Sequence, residues 1–192
     1  LDGLIKHNGP VFNLLKFENI LGKNFFKNKI NFKNSPSLEA QIASISDDIA
    51  YNSHDLEDGL KANLFKIEEL NDISMLSSII KKQKKKINNS NKEIFLRTIV
   101  REMINEMVKD IIINTKKNIN KNKLKSIKDV YNNNNSIVCF SKSMKIFDSA
   151  IKNFLREKMY YSKEVLKKTN EGKKIIETLF KEINKNPKKF IK

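Results

Sequence analysis

Asp47, Tyr51 and Asp55 stand four residues apart in "SISDDIAYNSHD" (44 to 55), with Asp48 and His54 beside them. On a helix that spacing sets three side chains along one face, in a row about 12 Å long at roughly 1.5 Å per residue. One carboxylate of such a row can bind a metal, while a phenol and a second carboxylate hold a ligand's charged end and its hydroxyls. An isolated carboxylate in a low dielectric costs several kcal/mol, so a buried Asp has to be paired, protonated or metal-bound. The same spacing suits a set of caps and ion pairs facing lysines, and spacing alone does not choose between the two.

The element that carries the row reads as a long helix. Pro36 suits its first position, with Ser35 as cap, and the pattern runs to about Gly59 with a restart to Phe65. With Asp47 set at zero and 100° per residue, Leu38, Ile42, Ile45, Ile49, Leu56 and Leu60 fall within roughly 40° of the opposite pole. That is a core stripe. Around Asp47 lie Ala40, Ala43, Ala50, Tyr51 and His54, where a solvent face would carry Lys and Glu. Three alanines there predict a helix packed on both sides.

The remaining chain reads as helices too, and the fold class expected is all-α. A first helix ends near His7, "NGP" (8 to 10) breaks it, and a short second one starts at Pro10. A polar loop follows from Gly22 to Ser35. A helix from about Asp72 ends in "KKQKKK" (81 to 86), and 91 to 114 holds the strongest amphipathic pattern, from Leu96 to Ile111. The Asn/Lys tract from 114 to 136 is expected as a mobile loop with one frayed turn. Helices at 141 to 160 and 171 to 184 complete the chain, the second stopped by "NP" at 186 and 187. Strand alternation is not convincing anywhere.

Composition narrows the class. The chain has 192 residues, 39% of them hydrophobic, including twelve Phe, enough for one good core without disulfides or metals. Cys139 is the single cysteine, which points to a reducing cytoplasm. No apolar run approaches the roughly 20 residues of a membrane span, so a membrane is not an expected partner. The net charge of +16 invites a nucleic-acid reading, yet the only arginines are Arg97, Arg101 and Arg156. Readers of phosphate and base favour Arg. Lys, Asn and Ile abundant together are what an AT-rich genome supplies, and that accounts for most of the charge. Leu1 is not Met, and "LDGLIKHNGP" reads as the middle of something, so the expectation is a fragment lacking an N-terminal portion.

"PSLEAQIASISDDIAYNSHDLEDGL" (36 to 60) closely resembles the C-terminal half of bacterial deoxyguanosinetriphosphate triphosphohydrolases, of the HD superfamily. "LDGLIKHNGP" (1 to 10), "FLRTIVREMINEMVKDII" (95 to 112) and "KIFDSAIKNFLREKMYYSKEVLKKTNEGKKIIETLF" (145 to 180) agree with that resemblance. It implies a multi-helix HD-type bundle, with 1–65 the C-terminal part of a catalytic domain and 66–192 a helical region packing on it. It implies hydrolysis of a deoxynucleoside triphosphate to deoxynucleoside and triphosphate, with a divalent metal such as Mg or Mn. By the resemblance Asp47 matches the last metal ligand, Tyr51 a tyrosine on the sugar and Asp55 a carboxylate near the 3′-hydroxyl. Lys6 matches a lysine that reaches the phosphates, and His7 stands where some relatives carry an aromatic at the sugar. A phenol and carboxylate built for such hydrogen bonds reject analogues strongly. The family's His and His-Asp ligands fall upstream of Leu1, so 1–192 alone is expected neither to hold the metal well nor to catalyse. Relatives are often homo-oligomers with nucleotide or single-stranded DNA effects, which makes such an effector a further expected partner.

Two rival arrangements follow from the residues themselves. His7, His54-Asp55 and Asp110 imitate a complete metal site, but His54 and Asp55 lie about 100° apart on a helix. A basic helical module that binds nucleic acid without chemistry is the alternative function, with "KKQKKK" as its contact. Arg97 and Arg101 are expected to pair with Glu93 and Glu106, and Met103 and Met107 to pack in the core.

Overall fold

The computed structural model describes residues 2–13, 18–19, 22, 31–85 and 92–190. Among them the secondary structure is entirely helical: α1 (Asp2–Ile5), α2 (Leu38–Lys61), α3 (Ser74–Lys84), α4 (Lys92–Lys121), α5 (Ile127–Tyr131), α6 (Lys142–Leu155) and α7 (Lys163–Lys185). A 3-10 turn at Ile67–Asp72 precedes α3, and a π turn at Arg156–Tyr160 joins α6 to α7. The chain is all-α, as its periodicity requires.

α2 starts two residues later than the Pro36 reading. Its cap is Ser37, extended at φ −60° and ψ 163°, whose side chain accepts from the Ala40 N–H at 3.3 Å. Ser35 is used elsewhere: its N–H donates to the Tyr131 carbonyl, and its hydroxyl to that of Asn133. Gln41 reinforces the start by donating to the Pro36 carbonyl at 2.9 Å. At the far end Asn63 takes a left-handed φ of 55° and the chain reverses. Phe65 then folds back over Gly59, where an added Cβ would collide with its ring, and meets Phe154 edge-on at 4.9 Å. No side chain but hydrogen fits at position 59.

α2 lies against α4 and α6, and α3 lies against α4. One continuous core joins them, with Leu56, Leu70, Leu76, Ile99, Met103, Met107, Ile151 and Leu155 fully buried. Burying each of these contributes roughly 1.5–3 kcal/mol, so they dominate the stability. Met103 and Met107 pack there as expected. The expected stripe of α2 holds for Ile49, Leu56 and Leu60, whereas Ile42 is exposed and borders an apolar groove with Val108 and Ile112. Across α2 and α6 a polar set runs from the core edge to the surface: buried Asn52 donates to Asp148 at 3.1 Å, and partly exposed Lys152 bridges Asp148 at 2.9 Å and Asp48 at 3.2 Å.

The Asn/Lys tract is not a mobile loop. α4 continues through it to Lys121, and α5 occupies Ile127–Tyr131. Asn114 donates to the Cys139 carbonyl at 2.8 Å and Asn118 to that of Ile137 at 2.9 Å, so helix and following segment are laced together. Gln41 completes the lacing, its carbonyl oxygen accepting from the Ile137 N–H at 2.8 Å and the Val138 N–H at 3.0 Å. Asp110 caps α6 by accepting from the Ser141 N–H at 2.8 Å and its hydroxyl at 2.6 Å. There a negative charge also suits the positive end of the helix. The last helix begins at Lys163, eight residues before the sequence reading, capped by Ser162. Residues 10–13 are not helical, and Val11 bonds back to Phe32. The rest of the helix expected from Pro10, most of the 22–35 loop and Lys86 lie outside the described residues.

Candidate active site

The buried stripe of α2 fixes where its other face points, and that face carries the row. Asp47 and Tyr51 look outward, 63% and 67% exposed. Ala43, Ala50 and His54 are exposed with them. The expected packing on both sides is therefore corrected. Only Ala40 is covered on that side, where Gly3 of α1 comes so close that an added Cβ would stand 3.3 Å from the Ala40 Cβ. The small residues serve one tight crossing and an open surface beyond it.

The ionisable group beside Asp47 among the described residues is His7, its Nε2 3.7 Å from Oδ2, beyond hydrogen-bond length. Among the described residues no lysine pairs with Asp47, so the ion-pair version of the row does not describe it. Lys6, expected to reach the phosphates, lies in the turn that follows α1. Its side chain is 2% exposed, turned inward to Asp2 at 2.8 Å and lying over the Tyr131 ring. A buried ammonium needs a partner, and Asp2, one turn earlier, supplies it.

Asp55 ends the row differently. Its Oδ2 accepts from the Tyr160 hydroxyl, delivered by the π turn between α6 and α7. Burial first, then the Asp55 carboxylate, pushes the Tyr160 phenol up to about 12. The sequence reading missed Tyr160. Its only signal was "MYYSK" at the end of an amphipathic helix, where tyrosines usually read as surface.

Beside the row, between residues 7–10, residues 35–36, α2 and residues 134–138, lies a cavity of about 350 Å³. His7, Gly9, Ser44, Asp48, Asn134 and Ser136 give it a polar lining. His7 thus stands at both the cavity and Asp47. The rival metal site does not assemble. Asp110 is engaged by Ser141, Asp55 by Tyr160, and no group of three His, Cys, Asp or Glu able to hold a metal exists among the described residues.

Comparison with known proteins decides what this arrangement belongs to. A deoxyguanosinetriphosphate triphosphohydrolase-like protein of Pelagibacter ubique (strain HTCC1062) is 51% identical over 191 residues, covering 100% of this chain and 52% of its own length. Over its whole length the chain resembles the deoxyguanosinetriphosphate triphosphohydrolase-like family. A Bartonella henselae relative so named is 34% identical over 192 residues, covering 97% of the chain and 48% of its own length. One from Rickettsia rickettsii (strain Iowa) is 32% identical over 181 residues, covering 94% and 47%. The chain thus spans about half the length of the curated relatives it matches. Residues 138–192 also match the family described as phosphohydrolase-associated domain. That match begins at Val138, where Gln41 ties the segment to α2.

Proposed function

We propose that this chain forms part of a metal-dependent hydrolase that cleaves deoxynucleoside triphosphates, dGTP among them, to deoxynucleoside and triphosphate. The observation that carries the reading is the open row on α2: an exposed Asp47 that has only His7 near it among the described residues, and an exposed Tyr51, on a helix whose other face is locked into the core. Stability does not need them there. The relatives' printed name supplies the substrate class.

The donor set does not by itself fit a metal, since His7 stands at Asp47 but no group of three His, Cys, Asp or Glu able to hold one exists among the described residues. On this reading Asp47 is one ligand, and the others come from the half of the relatives' length outside 1–192. The metal, Mg or Mn, would polarise phosphoryl oxygen and help supply hydroxide. The reaction adds water at phosphorus, breaks one P–O bond and leaves the sugar hydroxyl protonated. Tyr51 and Asp55 hold the deoxyribose, with Asp55 still free to accept at Oδ1 from a 3′-hydroxyl. His7 borders the sugar. Lys6 acts through Asp2 and the shape of the α1 turn, not by direct phosphate contact. Residues 1–65 then belong to the catalytic domain and 66–192 brace it. A lone Cys139 suits the cytoplasm, and no described helix is long and apolar enough to cross a membrane.

The test uses the longer protein. Asp47→Ala should lower dGTP turnover at least a hundredfold, about 2.7 kcal/mol, together with bound metal, while 1–192 alone shows no turnover. Turnover unchanged by Asp47→Ala sinks the proposal. A second reading, nucleic-acid or nucleotide-effector binding, draws on exposed Lys81, Lys82, Lys84 and Lys85. Salt-dependent DNA affinity that ignores Asp47→Ala would favour it.

A further inference from the structure

Among the described residues α7 is the one long helix with no buried residue in its 23, yet it is strongly amphipathic. Leu166, Ile175, Ile176, Leu179, Phe180 and Ile183 are all 40–68% exposed. Along it Val165, Thr169, Gly172, Ile176, Leu179 and Ile183 follow one another at intervals of four, three, four, three and four. That alternation is the seam of a two-helix coiled coil. Lys167, Lys174 and Lys181 mark the opposite side. Most helical stability in proteins comes from packing an amphipathic face, so the seam calls for a cover.

We propose that α7 pairs antiparallel with α7 of a second copy of this chain, about a two-fold axis near residue 174. In that register Gly172 meets Ile176 of the second copy, Thr169 meets Leu179 and Val165 meets Ile183. Each layer sets a small residue against a larger one. Gly172 is explained by it: glycine within a helix costs about 1 kcal/mol relative to alanine, and here nothing in its own chain fills the space before it. Charge agrees, because Lys168 faces Glu182 of the second copy twice over. A parallel pair would set Lys168 beside Lys173 instead. The six exposed side chains offer on the order of 500 Å² per copy, about 1,000 Å² in all, the lower edge of a stable interface. The contact is isologous and closes on itself.

Sedimentation equilibrium of 1–192 over rising concentration reads the pairing. A monomer–dimer equilibrium is expected, weakened at least tenfold by Lys168→Glu and restored by Lys168→Glu with Glu182→Lys. Ile176→Glu should leave a monomer, and helical circular dichroism with an unchanged core melt shows that the rest stays folded. Lys173 meets itself across the axis, so Lys173→Gln should tighten the dimer. In a Cys139→Ser background, Ile175→Cys should cross-link to its own copy on oxidation. A monomer at high micromolar concentration overturns the proposal, as expected if the rest of a longer protein covers the stripe. A dimer indifferent to these α7 changes overturns it as well.

Discussion

Replacing Gln41 by Leu isolates the contribution of one buried amide. Gln41 is 5% exposed, and its oxygen serves three donors: the Ser136 hydroxyl at 2.9 Å and the N–H groups of Ile137 and Val138. Leu matches its bulk approximately and keeps water out, so the two N–H groups are left dry. Each such orphan costs roughly 1–3 kcal/mol. Ser136 is not orphaned, because its one proton can turn from Gln41 to the Val138 carbonyl, also at 2.9 Å. The Pro36 carbonyl loses its donor from Gln41, a smaller loss for a group with two lone pairs. Together the change should cost about 3 kcal/mol. For a chain of this size that lowers Tm by about 6–12 °C. Thermal melts followed by circular dichroism provide the assay, and amide exchange should show Ile137 and Val138 losing protection first. A drop in Tm below about 2 °C would refute the claim that Gln41 binds residues 136–138 to α2.

Three further outcomes follow from the same coordinates. Gly59→Ala drives a methyl into the Phe65 ring and off-centres its contact with Phe154, and should cost about 1–3 kcal/mol in urea unfolding. Met103→Ala, at a fully buried position, should cost about 2–5 kcal/mol, whereas Asp47→Asn, largely exposed, should change stability by less than about 0.5 kcal/mol in the same titration. Tyr160 is raised in the fold from 10.0 to about 12, so below pH 10 its contribution is fully present, and it is lost as pH rises through 12. Spectroscopic titration of phenolate should show one tyrosine lagging the others, absent in Tyr160→Phe; with Tyr160 39% exposed, its stability effect should stay under about 1 kcal/mol.

Period and composition carried most of the fold. The stripe from Leu96 to Met107 reads as a core helix because packing and sequence periodicity coincide there. The tract after Ile113 misleads because Asn and Lys are weak indicators: their helix is held by side-chain bonds to residues 137 and 139, which no local pattern encodes. The row on α2 was legible as a row, since turn spacing is a property of one helix. Whether it was covered was not, because alanine is at home both against a neighbour and beside water. Lys6 shows the same limit: a lysine's address depends on Asp2 and Tyr131, and only coordinates bring those to it. Arg97 does pair with Glu93 at 2.7 Å, a contact within one helix, while Glu106 pairs with Lys109.

α4, 30 residues and about 45 Å long, passes from a core half to a surface half without a break. The two halves should answer mutation by different rules. Between Phe95 and Met107 volume is what counts, and Leu, Ile and Met trade places at small cost. From Val108 onward bulk counts for less, and drift among Lys and Asn passes unnoticed, except at Asp110, which caps α6, at Ile111, which packs on the core, and at 114 and 118. Two asparagines hidden in a run that looks like noise are thus the immovable letters of an otherwise freely rewritten stretch.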